Sequence, residues 1–325
     1  PDLPDAARAV IRSHRDAELV SEAVLVLGAM PDPRDLRLLT DLYHDIGGAD
    51  RVPALAAAYA AYEVPGGHNV SYGPPVVALR NAAAIALGRF EFPRDHRLGS
   101  SARETLRRSY TTVRDGRQDR PFRRDDWRQR YAHVERGSWE LRQGLISLGR
   151  IGYDREAELL IDVLRGRHAP RDAEHPRADP GRGFAAIALG LYLQRVATGG
   201  EDLADSGTQR RTARSARRTL ADTAADTDEP EDLRAACVLA LGLSGDAANA
   251  ASVRAAVAGE RDALVASHAV LALGMLGDRG ALVAAGRLLP PPHGGAGDAI
   301  HRLREQGFAR ENDPLAVVRR RAILA

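Results

Sequence analysis

Lysine is absent from this 325-residue chain, whose 46 basic residues are all arginine. That removes a Walker A lysine, a Schiff-base lysine and a Ser-Lys dyad from the chemistry available. GC-rich coding is the simplest account of the absence. Cysteine is nearly absent too: Cys237 stands alone, which excludes disulfide frameworks, CxxC redox pairs and cysteine zinc sites. No apolar run approaches the roughly 18 residues that a membrane-spanning helix needs, so no membrane span is expected. Aromatic residues make up 5%. The charge balance, 46 basic minus 44 acidic or +2, is too small to argue for a polyanionic partner by itself. What remains is ordinary globular material, 44% hydrophobic and 28% charged.

One phrase recurs along the chain. Six-residue apolar stretches end in Leu-Gly at Gly28, Gly88, Gly149, Gly190, Gly242 and Gly274, as in Ala-Ala-Ile-Ala-Leu-Gly at Gly88 and Gly190. The final Ala322-Ile323-Leu324-Ala325 would begin a seventh copy. Successive glycines lie 60, 61, 41, 52 and 32 positions apart (88−28, 149−88, 190−149, 242−190, 274−242). The unit is therefore about 32 to 40 residues with insertions, the signature of a repeat array.

Each phrase has helical periodicity. Leu233, Ala236, Cys237, Ala240 and Leu241 form one apolar stripe, and the glycine is expected to end the helix. A turn and a capping Asp follow, at Pro31-Asp32, Gly152-Tyr153-Asp154, Gly245-Asp246 and Gly277-Asp278. Second amphipathic helices then come at residues 155–165 and 279–289, so the unit reads as a helical hairpin.

These residues resemble the HEAT repeat, in particular the HEAT-like variety of phycobilisome lyases, whose pattern runs Val-Arg-x-x-Ala-Ala-x-Ala-Leu-Gly-x-x-Gly-Asp. Residues 233–242 and 265–274 match it best, and the resemblance extends over essentially the whole chain. It implies an all-α fold: a right-handed HEAT-type superhelix, or solenoid, of about six to seven hairpins over residues 1–325, with insertions at 46–74, 113–137 and 191–206. Both ends are expected to be cut within a longer array, because the chain opens at Pro1 without an initiator Met and stops at Ala325 in an uncapped helical pattern. HEAT arrays serve as scaffolds, receptors, lyases and DNA glycosylases, so the resemblance specifies fold better than function.

The first insertion carries a candidate helix at 52–63. The stretch from Arg103 to Arg142 holds twelve Arg against seven acids with aromatics interleaved, and Arg107, Arg108, Arg123, Arg124 and Trp127 are its candidate contacts for an acidic or polyanionic surface. Interspersed acids also allow internal ion pairing. The sharper signal is Arg210, Arg211, Arg214, Arg217 and Arg218, a five-Arg helix segment without an acid. Arg210, Arg214, Arg217 and Arg218 share one face by spacing, expected to be concave as in HEAT second helices. Like charges in a row destabilise a helix unless acids meet them, and Glu201, Asp202, Asp205 or the acidic stretch Asp222 to Asp232 could do so within the chain.

Other groups read as structural. His168 and His175 match no known metal-ligand spacing, His268 occupies the position of Ala236 one repeat later, and Cys237 is expected to be buried and inert. No His-Glu dipeptide, as in HEAT-like deoxyhypusine hydroxylase, occurs, and no motif fixes Asp162, Trp127 and Trp139 as a glycosylase site. The expectation is therefore a non-catalytic scaffold without cofactor or metal, binding another protein with an acidic surface. A nucleic-acid-binding HEAT protein and a lyase or maturation factor holding a protein substrate are the alternatives.

Overall fold

All six Leu-Gly phrases lie in or at the ends of helices. The computed structural model describes residues 2–44, 52–62, 74–90, 99–107, 139–167, 181–198, 207–257 and 262–278. The described helices are α1 (Leu3–Ser13), α2 (Ala17–Ala29), α3 (Leu36–His44), α4 (Pro53–Tyr62), α5 (Pro74–Leu87), α6 (99–107), α7 (Trp139–Ile151), α8 (Asp154–Leu164), α9 (Gly181–Thr198), α10 (Gly207–Ala225), α11 (Glu231–Leu243), α12 (Ala250–Val257) and α13 (Ala263–Met275). No strand occurs among the described residues. The chain divides into two compact units, Pro1–Ala188 and Leu189–Ala325, each treated separately below. The candidate helix at 52–63 is α4, whereas the second helix expected at 279–289 lies outside the described residues.

In the first unit α2 packs on α5 and α5 on α7. A methyl group placed on Gly28 would come within 2.6 Å of the Ala86 Cα, and one on Gly88 within 2.6 Å of the Ser147 Cβ. On Gly149 it would lie 2.6 Å from the Ala188 Cα. In the second unit the same relation joins Gly190 to Ala240 at 2.8 Å and Gly242 to Ala272 at 2.6 Å. Every contact pairs a repeat glycine with the residue two positions before the next repeat glycine. Those receiving residues, Ala86, Ser147, Ala188, Ala240 and Ala272, are all small, so neighbouring backbones approach more closely than any side chain would permit. The leucine between each pair, such as Leu87, Leu189 or Leu241, is fully buried. Glycine inside a helix costs about 0.5–1 kcal/mol relative to alanine, and the added dispersion contacts of a close approach offset that.

The repeat glycines lie within two residues of a helix end, as expected, except for Gly190. Gly190 does not end its helix, since α9 runs on to Thr198. Among the described residues the left-handed glycines are Gly166, Gly245 and Gly277, and none of these is a repeat glycine. Gly245 and Gly277 belong to the turn before the capping Asp, as the pattern Gly-x-x-Gly-Asp requires. The 191–206 insertion is correspondingly in part an extension of α9, through Thr198. Another correction concerns α8, where Asp154 is a buried helical residue and the Glu156 carboxylate accepts from the Tyr153 N–H at 2.8 Å. The α11 stripe is also wider than expected, because Arg234, Ala235 and Val238 are buried alongside Leu233, Cys237, Ala240 and Leu241. A helix with neighbours on several sides buries more than one face.

Arginines tie second helices into this frame. Eight positions before the repeat glycine, buried Arg80, Arg182 and Arg234 donate through Nε to carbonyls at preceding helix ends: Tyr43 O at 3.0 Å, Leu164 O at 2.7 Å and Ala224 O at 3.3 Å. A cation at a helix C-terminus satisfies open carbonyls and opposes the negative end of the dipole. In the first unit buried Arg8 forms a two-pronged pair with Asp35, Nε to Oδ1 at 2.7 Å and Nη2 to Oδ2 at 2.9 Å, and also reaches Asp32 at 2.9 Å.

Two outcomes test these contacts. Gly242→Ala should lower unfolding stability in urea by about 1–3 kcal/mol through overpacking, while Gly207→Ala, with nothing within 4 Å of an added methyl, should leave it unchanged or slightly raised. Asp32 provides the pH test. Hydrogen bonds from the Arg34 side chain and backbone N–H hold its carboxyl well below the ordinary 3.8. A depressed folded-state value means stability present above the unfolded value and lost as pH falls below it. Asp32→Asn should therefore lower stability at pH 6 and flatten its decline between pH 4 and pH 2, as followed by urea denaturation.

Candidate functional site

Helix α10 forms because its small and apolar residues fall on one side. Gln209, Thr212, Ala213, Ala216, Thr219, Leu220 and Ala224 are buried at helical spacing, and the helix packs on α11 and α12. Four of the five predicted arginines then face outward: Arg210, Arg211, Arg214 and Arg218 are exposed. Arg211 donates to Thr208 Oγ1 at 3.2 Å. Arg218 meets Asp222 at 3.5 Å with both side chains exposed, a pair worth little in water. Arg214 makes no hydrogen bond or ion pair among the described residues.

Arg217 departs from the predicted row. It is half-buried and pairs with Asp246 at 3.0 Å, while Asp246 also caps the turn leading into α12 by accepting from Ala248 N–H at 3.0 Å. The same arrangement recurs where Arg254 of α12 pairs with Asp278 after α13, and in the first unit where Arg8 of α1 reaches Asp32 after α2. An arginine of one hairpin thus binds the capping Asp that follows the next Leu-Gly. Sequence reasoning assigned the capping role to this Asp and overlooked the pair. Its signal was present in the capping Asp of the Gly-Asp turn, a buried-side acid that needs a cation.

The other arginine-rich stretch is structural where it is described. Arg103 is buried, with its guanidinium 4.7 Å from the Tyr153 ring centroid, and Arg142 stacks 5.5 Å from the Phe184 ring. Arg107 is half-buried and bonded to Glu104. Arg108, Arg123, Arg124, Trp127 and the whole 113–137 insertion lie outside the described residues, as do His168, His175, Glu201, Asp202 and Asp205. Cys237 is fully buried. His268 is half-buried, its Nδ1 hydrogen-bonded to Leu264 O at 2.8 Å. Asp162 is paired with Arg167 at 3.0 Å. Among the described residues no group of His, Cys, Asp and Glu could hold a metal ion, and no helix is long and apolar enough to cross a membrane.

The electrostatics of α10 run against its own backbone. Arg210, Arg211 and Arg214 occupy the first half, at the positive end of the helix dipole, and Asp222 lies near the negative end. At the helix ends themselves, Arg210 in the first turn and Asp222 in the last, the placement is unfavourable by about a few tenths of a kcal/mol. The side-chain charges therefore add to the macrodipole, giving a helix with a positive outer half and a negative outer end.

The structure defines an all-helical, repeat-like protein. No family model matches the chain, and no curated protein matches it either.

The division of labour among the arginines is testable. Arg217→Ala should cost about 0.5–1.5 kcal/mol by removing a half-buried pair and leaving Asp246 with only its cap, whereas Arg214→Ala should stay within about 0.5 kcal/mol of the parent. Urea unfolding of the two variants side by side gives the comparison.

Proposed function

We propose that this chain is a HEAT-type α-solenoid acting as a non-catalytic scaffold, which presents the outward row of α10 to an acidic surface of another protein. The observation that carries the reading is the glycine-on-small-residue contact recurring between successive first helices within each unit. That is how a repeat array stacks its members, each repeat burying the face its neighbour cannot bury alone. The resemblance of residues 233–242 and 265–274 to the HEAT pattern adds to it, with Arg234 standing at the pattern's arginine position and donating to the Ala224 carbonyl. Arg108, Arg123, Arg124 and Trp127 belong to the same proposal as further contacts, and no step in it needs a cofactor.

A nucleic-acid partner is the second reading, favoured by the absence of any acid between Gly207 and Ala221. Phosphates would be held by the same guanidinium groups. Reversing Arg214 and Arg218 to Glu distinguishes the readings. Binding of the protein that co-purifies with the full chain should weaken at least tenfold, about 1.4 kcal/mol, with the helical circular dichroism intact. Unchanged binding would make the row a solvated surface. Duplex DNA binding with a steep salt slope, lost in the variant, would favour nucleic acid instead.

A further inference from the structure

The outward row of α10 carries both signs in order. Arg211, Arg214 and Arg218 are followed on the same exposed row by Asp222, and the chain then turns through Asp226, Asp228 and Glu229. From Arg211 to Asp222 the row extends about 16 Å at 1.5 Å per residue. A row that is positive in its first half and negative at its end is complementary to itself when reversed. Under a two-fold axis passing between Arg218 and Asp222, residues whose numbers sum to 440 face each other. Arg218 of one copy then meets Asp222 of the other, and Arg214 comes opposite the end of the other helix, where Asp226 follows Ala225.

We propose that two copies of this chain pair antiparallel through the outward row of α10, the basic half of each helix lying on the acidic end of the other. The proposal rests on the scaffold reading only in taking the row as a contact face. Three observations favour a second copy over nucleic acid. A polyanion would be repelled by Asp222, Asp226 and Asp228 at the end of the row, whereas an antiparallel copy uses them. The charge order is unfavourable in a single helix because it adds to the macrodipole, and antiparallel pairing opposes both the side-chain charges and the dipoles. A two-fold contact is moreover isologous, so one surface supplies both halves. Among the described residues the exposed large hydrophobic ones are Leu3, Leu19, Met30 and Met275, and none is in α10. The association is therefore electrostatic, modest in affinity and screened by salt.

Sedimentation velocity of the full chain over a concentration series tests it, with two charge-reversed variants. Arg214→Glu/Arg218→Glu makes the middle of the row acidic, with Arg211 unchanged, and Asp222→Arg/Asp226→Arg makes the end of the helix basic, with Arg211, Arg214 and Arg218 unchanged. The parent should dimerise at low salt and dissociate as salt rises. Each variant alone should self-associate at least tenfold more weakly, and an equimolar mixture of the two should form a heterodimer. Circular dichroism confirms that both variants are folded. A parent that stays monomeric at low salt and high concentration overturns the proposal, as does a mixture that associates no better than either variant. Variants that dimerise as the parent does would place the contact elsewhere and overturn it equally. The scaffold reading fails separately, if the Asp222→Arg/Asp226→Arg variant, whose arginines are intact, binds no other acidic protein.

Discussion

Everything described in this protein depends on how closely two helix backbones can approach. Where a repeat glycine faces a small residue of the next first helix, as Gly242 faces Ala272 and Gly28 faces Ala86, no side chain separates the helices. The leucine beside each glycine is then enclosed by neighbours. A single methyl group in the wrong place would part the helices, so the constraint falls on residue size more than on hydrophobicity, and alanine, serine and glycine dominate these surfaces.

Close stacking of first helices leaves the second helices to be fastened by polar groups. Arg80, Arg182 and Arg234 satisfy the carbonyls of helix ends, and Arg8, Arg217 and Arg254 bind the capping aspartates. An all-arginine complement suits this, because the planar guanidinium bonds several oxygens while most of its stem is buried. Six of the described arginines are used in this way. α10 differs in carrying four exposed arginines on one helix, a concentration of charge that these contacts do not account for.

The helical hairpin was legible in the sequence because the Leu-Gly phrase, the helical spacing and the Gly-Asp turn are local signals. The helix at 52–63 and the buried state of Cys237 were readable for the same reason. The place of Gly190 inside its helix was not, because a glycine near the end of an apolar stretch reads as a helix stop, as Gly242 nearly is. Arg217 was assigned to the outward face by spacing alone, yet its place was decided by Asp246, 29 residues later. Arg103 likewise belonged by composition to a basic surface and is in fact buried against Tyr153. Long-range partners of this kind leave little trace in a single sequence, whereas the outward row of α10 could be read because its buried and exposed residues alternate within one helix.

Amide hydrogen exchange tests the central claim most directly, that contact between first helices holds each unit together. In the unmodified protein the slowest amides should lie in α5 and α7 of the first unit and in α11 and α13 of the second. A methyl group added at Gly242 should raise exchange in α11 and α13 together, although only α11 is altered. Protection concentrated in α3, α8 and α12, or a change confined to α11, would contradict the account.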